Sequence, residues 1–586
     1  MSDLVNVKID GKSYQFKKGT TILKACKSIG IEIPTLCYLE GILEEGVCGV
    51  CVVEVKGAKT LQRSCITELT EGMEIFTNTP IVRAARKTNI ELILAHHNIT
   101  CPTCIRNNNC ELQTIANKVG VKEVSFSQIE SFYESDIGGP VERDPSKCIY
   151  CRRCVSVCEN IQGVNALTIA GRGIKTYIGA PFDLKLTDTP CVNCGQCIMN
   201  CPTGTLSERD DTEKVWKALI DPDKYVVVST APAIRASLGE LFGLPAGTFV
   251  RGKTATALRL LGFKKVFDTN FTADLTIVEE ANELIERIKN NGVLPMMTSC
   301  CPAWIKYLEE YYPEFIPNVS TCKSPQQMIG AVIKTYFAEK AGISKEKIFH
   351  VSIMPCTAKK YECDREGMNS SGVKDVDVVL TTREIGRMIK EAGIDFVNLG
   401  DSDYDLPLGE YTGAATIFGA TGGVMEAAIR TAYEMVTGKI LESVDFVDVR
   451  GLEGIKMAEV NVDGMNVRVA VAHGLGNASK LLNKVKAGEE KVHFIEVMTC
   501  PGGCIGGGGQ PIPTTDEIRL KRAQALYKDD SERKIRKSHE NPYIKKLYAE
   551  YLGEVGGEKA HHLLHTHYIR RVPWEKLERE LTGDKK

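Results

Sequence analysis

Eight cysteines fall in two runs of identical spacing, C-x2-C-x2-C-x3-C, as Cys148, Cys151, Cys154, Cys158 and as Cys191, Cys194, Cys197, Cys201, the second followed by Pro202. Thiols at that density are either oxidised in pairs or tied to metal. The chain has 23 cysteines, an odd number, and most lie in short clusters of CxxC type. Its opening, MSDLVNVKID, alternates charge with no apolar stretch, and no uncharged apolar run of about 18 residues follows, so neither a signal peptide nor a membrane span is expected. The predicted compartment is the cytoplasm, where thiols stay reduced and metal ligation is favoured over disulfides.

Runs of this spacing occur in two-cluster ferredoxins, in which three cysteines of each run hold one [4Fe–4S] cube and the fourth crosses to the other. The expected sets are therefore Cys148, Cys151, Cys154 with Cys201, and Cys191, Cys194, Cys197 with Cys158. Glu159 stands where the first run would carry proline, which is read as a variation of loop shape. Zinc knuckles compete, but CxxC zinc pairs do not need a third and fourth cysteine at these offsets. Cys37, Cys48, Cys51 and Cys65 form a [2Fe–2S]-like set whose first gap is longer than the plant-type spacing, with zinc again the alternative. In His96-His97-x3-Cys101-x2-Cys104-x5-Cys110 three cysteines lack a fourth partner, which raises His97 above an ordinary histidine; spacing alone leaves His96 open.

A chain of 586 residues implies several domains. Residues 1–78 read as a small β-rich [2Fe–2S] domain with a hairpin at Asp10-Gly11, residues 79–139 as a short helical His/Cys3 [4Fe–4S] domain, and residues 140–209 as the two-cluster unit. From 210 to 515 β-branched runs (YVVVST, KKVFDTN, VLPMMTSC, IFHVSIMPC, VDVVLTT, NVRVAVAHG, VHFIEVMTC) alternate with helical stretches, which predicts α/β architecture with parallel sheets. Residues 516–586 turn polar and helical. The net charge of −2, from 73 basic and 75 acidic residues, gives no electrostatic reason to expect nucleic acid or an anionic membrane as partner.

Four further cysteines lie at predicted strand ends: Cys301 in TSCCPAW, Cys356 in MPCTAKKYE, and Cys500 and Cys504 in EVMTCPGGCIGGGGQ. Four thiolates gathered from distant strands suit another iron–sulfur cube, and the glycines are expected to let backbone approach an inorganic group. These three motifs resemble the signatures of the [FeFe]-hydrogenases, and the resemblance extends over almost the whole chain. It implies a multidomain α/β and α+β fold: a β-grasp [2Fe–2S] domain, a small helical [4Fe–4S] domain, a two-cluster ferredoxin-like domain, a two-lobed α/β catalytic domain and a helical C-terminal segment resembling a fused small subunit. It also implies an H-cluster, a [4Fe–4S] cube held by Cys301, Cys356, Cys500 and Cys504 and joined through Cys504 to a di-iron unit with CO, cyanide and azadithiolate, alongside one [2Fe–2S] and three accessory [4Fe–4S] clusters. The implied activity is reversible H2 oxidation and proton reduction.

By the same resemblance Cys300 is the free thiol that passes protons, through Glu280, Ser320 and Glu283 with Arg287 at the outer end, while Lys359 hydrogen-bonds a cyanide. Pro232, Gln326, Met354, Phe418 and Met498 match pocket positions. Read without the family, EEANELIER is an exposed acidic helix face and the pocket residues are core or turn. Cys26, Cys322 and Cys363 are left over and are expected to be small buried apolar residues. HGLGNAS has two of three Rossmann glycines, so electrons are expected to pass to ferredoxin or to NAD(P)-binding flavoprotein or iron–sulfur subunits rather than to a nucleotide on this chain. Maturases are the other implied partners. The histidines of HHLLHTHY are read as helix-surface or interface packing before a metal site. The alternative function is a non-catalytic iron–sulfur electron-transfer, assembly or H2-sensing protein, against which Cys300, Glu280 and Lys359 argue.

Overall fold

The computed structural model describes residues 3–579 apart from 442, 463, 576 and 577, so residues 1 and 2 and the 580–586 end of the expected C-terminal segment lie outside the described residues. In β1 (Leu4–Ile9) every second side chain, Val5, Val7 and Ile9, is buried. Asp10 and Gly11, both at positive φ, turn the chain into the antiparallel β2 (Lys12–Lys17). With β3 (Val52–Val55), β4 (Gln62–Arg63) and β5 (Glu74–Phe76) they make a five-stranded sheet of order β2-β1-β5-β3-β4. The helix Ile22–Ser28 packs on it, capped by Thr21 Oγ1, which accepts from the Lys24 N–H at 3.3 Å. This is the β-grasp arrangement.

Next come the helices Pro80–Ala95, with Thr79 as cap and proline at its first position, and Glu111–Lys118. The repeat region holds β6 (Val141–Arg143), β7 (Thr168–Ala170), β8 (Tyr177–Gly179) and β9 (Leu206–Glu208), paired antiparallel as β6 with β9 and β7 with β8.

The α/β region contains β10 (Tyr225–Thr230), β11 (Lys265–Asp268), β12 (Met296–Met297), β13 (Ile348–Met354), β14 (Val378–Thr381), β15 (Ile455–Val462), β16 (Met465–His473) and β17 (Phe494–Met498). One sheet, of order β11-β10-β13-β14, is wholly parallel, and both faces of β10 are buried, as parallel sheets require. The other has order β12-β17-β16-β15 and is parallel except for β15. That edge strand departs from the expected all-parallel sheets: it pairs antiparallel with β16, the next strand in the chain, and so needs no crossover helix. β12 is shorter than its sequence run because it lies at the other edge and Pro295 before it has no N–H to pair.

The reading of EEANELIER as a solvated face is corrected. The helix Thr269–Lys289 runs through the interior against Pro325–Val332 and Gly423–Thr437, and Glu279 and Glu280 are each 1% exposed. Among the described residues no helix is long and apolar enough to cross a membrane.

The C-terminal segment is fastened by buried charge. From the helix Asp516–Glu532, Arg522 pairs with Glu240 at 2.7 and 2.6 Å, and Asp530 receives the buried Arg430 at 2.9 and 2.8 Å. Asp530→Ala would leave Arg430 with a single buried carboxylate, Glu426. Breaking such a pair costs about 3–5 kcal/mol. The expected readout is faster chymotrypsin cleavage of the C-terminal segment than in the parent protein; equal cleavage rates would show that the pair does not hold the segment.

Candidate active site and metal centres

Cys356 lies two residues beyond β13, Cys500 two beyond β17, and Cys301 just past β12, so strands of both sheets deliver thiols from their carboxyl ends to one gap. Cys504 enters from the turn after Gly503. The four line a single cavity of about 730 Å³. Burial, then the neighbouring thiols, pushes Cys500 and Cys504 well above the ordinary thiol range and Cys356 to about 12. Such thiols give up their protons only to a multivalent cation, and a set of four soft sulfur donors fits an iron–sulfur cube. Cys301 Sγ also lies 3.3 Å from Thr499 Oγ1, a contact that sequence reading missed.

Pro232, Gln326, Met354, Phe418 and Met498 all line this cavity, as do Thr269 and Pro325, which no motif singled out. The wall is mostly apolar, yet Gln326 Oε1 and Thr269 Oγ1 are buried there without a partner, polar atoms that a bound group could engage. Lys359 Nζ donates to the Cys300 carbonyl at 3.0 Å and to Glu362 Oε2 at 2.9 Å. Burial opposes its charge, but Glu362 outweighs burial and the ammonium pKa is raised. Glu362 Oε2 also accepts from Ser324 Oγ at 2.9 Å and Gln326 Nε2 at 3.0 Å, so it fixes the lysine. The K-x-x-E spacing on one helical turn was the available signal for this residue.

Cys300 lines the same cavity, and burial first, then Glu280, pushes its thiol well above the usual range. Glu280, fully buried beside Ser299 (Oγ to Oε1 3.5 Å), has its carboxyl raised to about 8 by burial and then by Glu283, and its Oε2 has no partner. Glu283 accepts from Ser320 Oγ at 2.8 Å, Thr321 N at 3.1 Å and Arg287 Nη2 at 2.6 Å. Arg287 in turn donates to the carbonyls of Asn318 and Val319. All six expected relay and cyanide-site residues thus occur in one contiguous neighbourhood. Cys322 is buried as expected of a leftover cysteine, with Sγ 3.9 Å from Glu283 Oε2; Cys26 and Cys363 are buried elsewhere.

Cys148, Cys151, Cys154 and Cys201 line one cavity of about 390 Å³, and Cys158, Cys191, Cys194 and Cys197 line another of about 400 Å³. The crossing of fourth cysteines is thus present in the geometry. Burial raises the thiol pKa in both sets, for Cys148 to about 12 and for Cys158 to about 11. In the N-terminal domain Cys51 Sγ lies 3.3 Å from Cys65 Sγ, and Cys37 is hydrogen-bonded to Cys48. Each pair shares a proton, which pushes Cys37 and Cys65 up and holds Cys48 near 6 and Cys51 near 7.

His97 is buried, and its Nδ1 lies 3.0 Å from the Lys147 carbonyl. Donation there leaves Nε2 as the ligand atom. Burial lowers its pKa, favouring the neutral ring that metals bind. The same Lys147 carbonyl accepts from Thr203, a Cβ on Gly204 would sit 2.6 Å from Cys104 Sγ, and Cys110 Sγ lies 3.6 Å from the Pro202 carbonyl, so His97, Cys104 and Cys110 gather around one stretch of chain. His96 is instead edge-on to Tyr150 with ring centroids 6.2 Å apart.

The second ferredoxin run abuts the terminal cavity. A Cβ on Gly508 would lie 2.2 Å from the Cys194 carbonyl, and one on Gly507 2.0 Å from the Pro355 carbonyl. Gly507 also lines the cavity, as expected of it, while the bare Cα of both glycines lets backbone pack on backbone. Gln196 donates to the Gly506 carbonyl at 3.0 Å and Thr357 to the Asn193 carbonyl at 2.6 Å. The HGLG turn does follow a strand and start a helix, Leu475–Lys486, but Gln162 Oε1 caps it at the Leu475 N–H (3.2 Å) and the Ile161 carbonyl would lie 3.0 Å from a Cβ on Gly476. The turn is filled by the ferredoxin domain.

Five family models match in succession: a 2Fe-2S iron-sulfur cluster binding domain over residues 2–80, an NADH-ubiquinone oxidoreductase-G iron-sulfur binding region over 86–125 and a 4Fe-4S dicluster domain over 147–205. They are followed by the iron only hydrogenase large subunit, C-terminal domain, over 224–508 and the iron hydrogenase small subunit over 516–571. The chain is 50% identical to the NADP-reducing hydrogenase subunit HndD of Solidesulfovibrio fructosivorans, over 97% of this chain and 99% of that one. It is 43% identical to iron hydrogenase 1 of Clostridium pasteurianum, over 96% and 99%. A solved structure of an apo variant of [FeFe]-hydrogenase HydA1 from Chlamydomonas reinhardtii superposes with a TM-score of 0.56 at 45% identity, covering 61% of this chain and 98% of that one. The chain therefore belongs to the iron-only, or [FeFe], hydrogenases, and is an oxidoreductase of molecular hydrogen with iron–sulfur binding domains ahead of its catalytic domain.

Proposed function

We propose that Cys301, Cys356, Cys500 and Cys504 hold the cube of an H-cluster, with Cys504 as the bridging thiolate, and that the di-iron subsite with its azadithiolate fills the cavity beside Cys300. The convergence of four thiols from both sheets on one apolar cavity, next to a lone thiol and a lysine, carries this reading. The N-terminal sets hold one [2Fe–2S] and three [4Fe–4S] clusters, on Cys37, Cys48, Cys51 and Cys65, on His97, Cys101, Cys104 and Cys110, and on the two ferredoxin sets. When bound, these groups supply the Lewis-acid iron and the base at which H2 is cleaved or formed and the carriers that move its electrons.

The chain's own residues place and protonate. Cys300 keeps its proton as a neutral thiol in the dry cavity and exchanges it with Glu280, whose carboxyl is largely neutral at pH 7. Ser320 links Glu280 to Glu283, which Arg287 holds as the outer member. Lys359, fixed by Glu362, donates to an anionic ligand such as cyanide. The apolar walls from Met354, Phe418 and Met498 exclude water.

Protein of this composition works in the cytoplasm after maturases have built the di-iron unit, and exchanges electrons with ferredoxin or an NAD(P)-linked flavoprotein or iron–sulfur subunit. The name of the relative from S. fructosivorans supports the NADP-linked choice, and the filled HGLG turn favours a nucleotide site on a partner over one at that turn.

Infrared and turnover measurements on matured protein test the assignment. Cys300→Ala is expected to lose nearly all turnover, a fall of at least about 100-fold, while CO and cyanide bands and iron content persist; retained turnover would exclude Cys300 from proton transfer. Glu280 donates when protonated and accepts when ionised, so H2 evolution should fall, and H2 oxidation rise, as pH passes through about 8. Profiles with no such opposed slopes would remove Glu280 from the rate-determining path. His97→Ala should remove one accessory [4Fe–4S] signal from the paramagnetic resonance spectrum of the reduced protein, and His96→Ala none; the reverse pattern would reassign the ligand.

A further inference from the structure

After the helix Glu558–Leu564 the chain lies as an extended strap along residues 321–323. The Lys323 N–H donates to the Leu564 carbonyl at 2.7 Å, the Thr566 N–H to the Thr321 carbonyl at 2.7 Å, and Cys322 and His565 form an antiparallel bridge. This strap sets an imidazole against the outer end of the relay. Nδ1 of His565 lies 2.7 Å from Thr321 Oγ1, and Nε2 lies 3.3 Å from Glu279 Oε2.

Glu279 already accepts from the Tyr548 hydroxyl and from the Gly556 N–H at 3.0 Å, so it faces the ring as an acceptor. The proton of the neutral ring therefore belongs on Nε2, and Nδ1 is the basic nitrogen, turned toward Thr321. A carboxylate oxygen of Glu283, Cys322 Sγ and a ring nitrogen of His565 all lie within 4.8 Å of one another. His561, exposed, stacks on His565 with ring centroids 4.7 Å apart. The groups facing His565 are thus Glu279 and Glu283 from the long helix, Thr321 and Cys322 from the loop, Tyr548 through Glu279, and His561 from its own helix.

Arg287 cannot finish the relay. A guanidinium does not lose its proton at working pH, so Arg287 orients Glu283 without accepting from it. We propose that His565 is the outer member of the proton relay, exchanging protons with Glu283, a carboxylate oxygen of which lies within 4.8 Å of a ring nitrogen, a gap that one water spans, and passing them to bulk water. In the outward direction the O–H bond of the Glu283 carboxyl breaks, a bridging water takes that proton and yields one of its own to the basic ring nitrogen, and the imidazolium then releases one proton to water. Proton uptake runs the same steps in reverse, and no electron moves.

This inference rests on the relay reading for Glu283, and the experiment separates the two. Matured full-length enzyme would be compared as parent, His565→Ala, His565→Gln and Glu283→Gln, with iron content, infrared bands, H2 evolution across pH and the response to added imidazole. Expected are a fall in turnover of about tenfold or more in both His565 variants at unchanged iron content, recovery of the alanine variant as imidazole is added, and no recovery of the glutamine variant, which fills the space but cannot titrate. Parent-like turnover of His565→Gln across the pH range, an alanine variant that stays slow in imidazole, or iron loss in both variants would each overturn the proposal, the last two by assigning His565 to the fold. If Glu283→Gln is fully active the relay reading itself falls; if it is slow while His565→Gln is not, only the outer step does.

Discussion

A buried thiol keeps its proton until a cation takes its place, and this chain is built around that constraint. Burial raises the thiol pKa of Cys154, Cys197 and Cys500, each with neighbouring thiols of its cluster adding to the shift, whereas in the N-terminal set Cys48 and Cys51 are lowered by their hydrogen-bonded partners. The polypeptide therefore encloses sites whose electrostatics balance only when iron is present, and apolar packing around them, as where Cys158, Cys191, Cys194, Cys301 and Cys356 border one hydrophobic cluster, is compatible with charge only in that state. Metal binding and correct packing are accordingly one event for these domains.

The carboxyls proposed as a proton relay meet the opposite problem. Glu280 is buried without a cation and answers by staying neutral, while three residues beyond it on the same helix Glu283 is held by Arg287, Ser320 and the Thr321 N–H. Two carboxyls on one helix face thus differ in surroundings: Glu283 has a guanidinium partner, while Glu280 has the Ser299 hydroxyl at 3.5 Å and no cation. Lys359 shows the complementary case, a charge kept in an apolar wall because Glu362 sits 2.9 Å away.

Strand runs and cysteine spacing were legible in the chain because both are local: seven β-branched runs became strands, and the crossed ferredoxin pattern is a matter of fixed offsets. The acidic helix was misread by its composition alone, since nothing in EEANELIER records that other helices will wrap it. The glycines of CPGGCIGGGG were credited with room for an inorganic group, and Gly503 and Gly507 do line the cavity, while Gly508 has a second use that no local pattern records, letting backbone meet backbone with Cys194, more than 300 positions away. Glu362 and Thr499 act through distant partners in the same way, and His565, in a histidine-rich stretch read as packing, takes its place by Glu279 and Thr321 only once the last helix has docked.

The segment matching a small-subunit family model is part of this chain, covalently continuous with the catalytic domain and lying along residues 321–323 of it. When such a segment is a separate polypeptide, its occupancy depends on dilution and on the abundance of its partner. Tethering replaces that dependence with a local concentration on the order of millimolar for a short linker. Covering of residues 321–323 then becomes insensitive to how much protein is present, and each molecule brings its own cover for that loop in strict one-to-one stoichiometry.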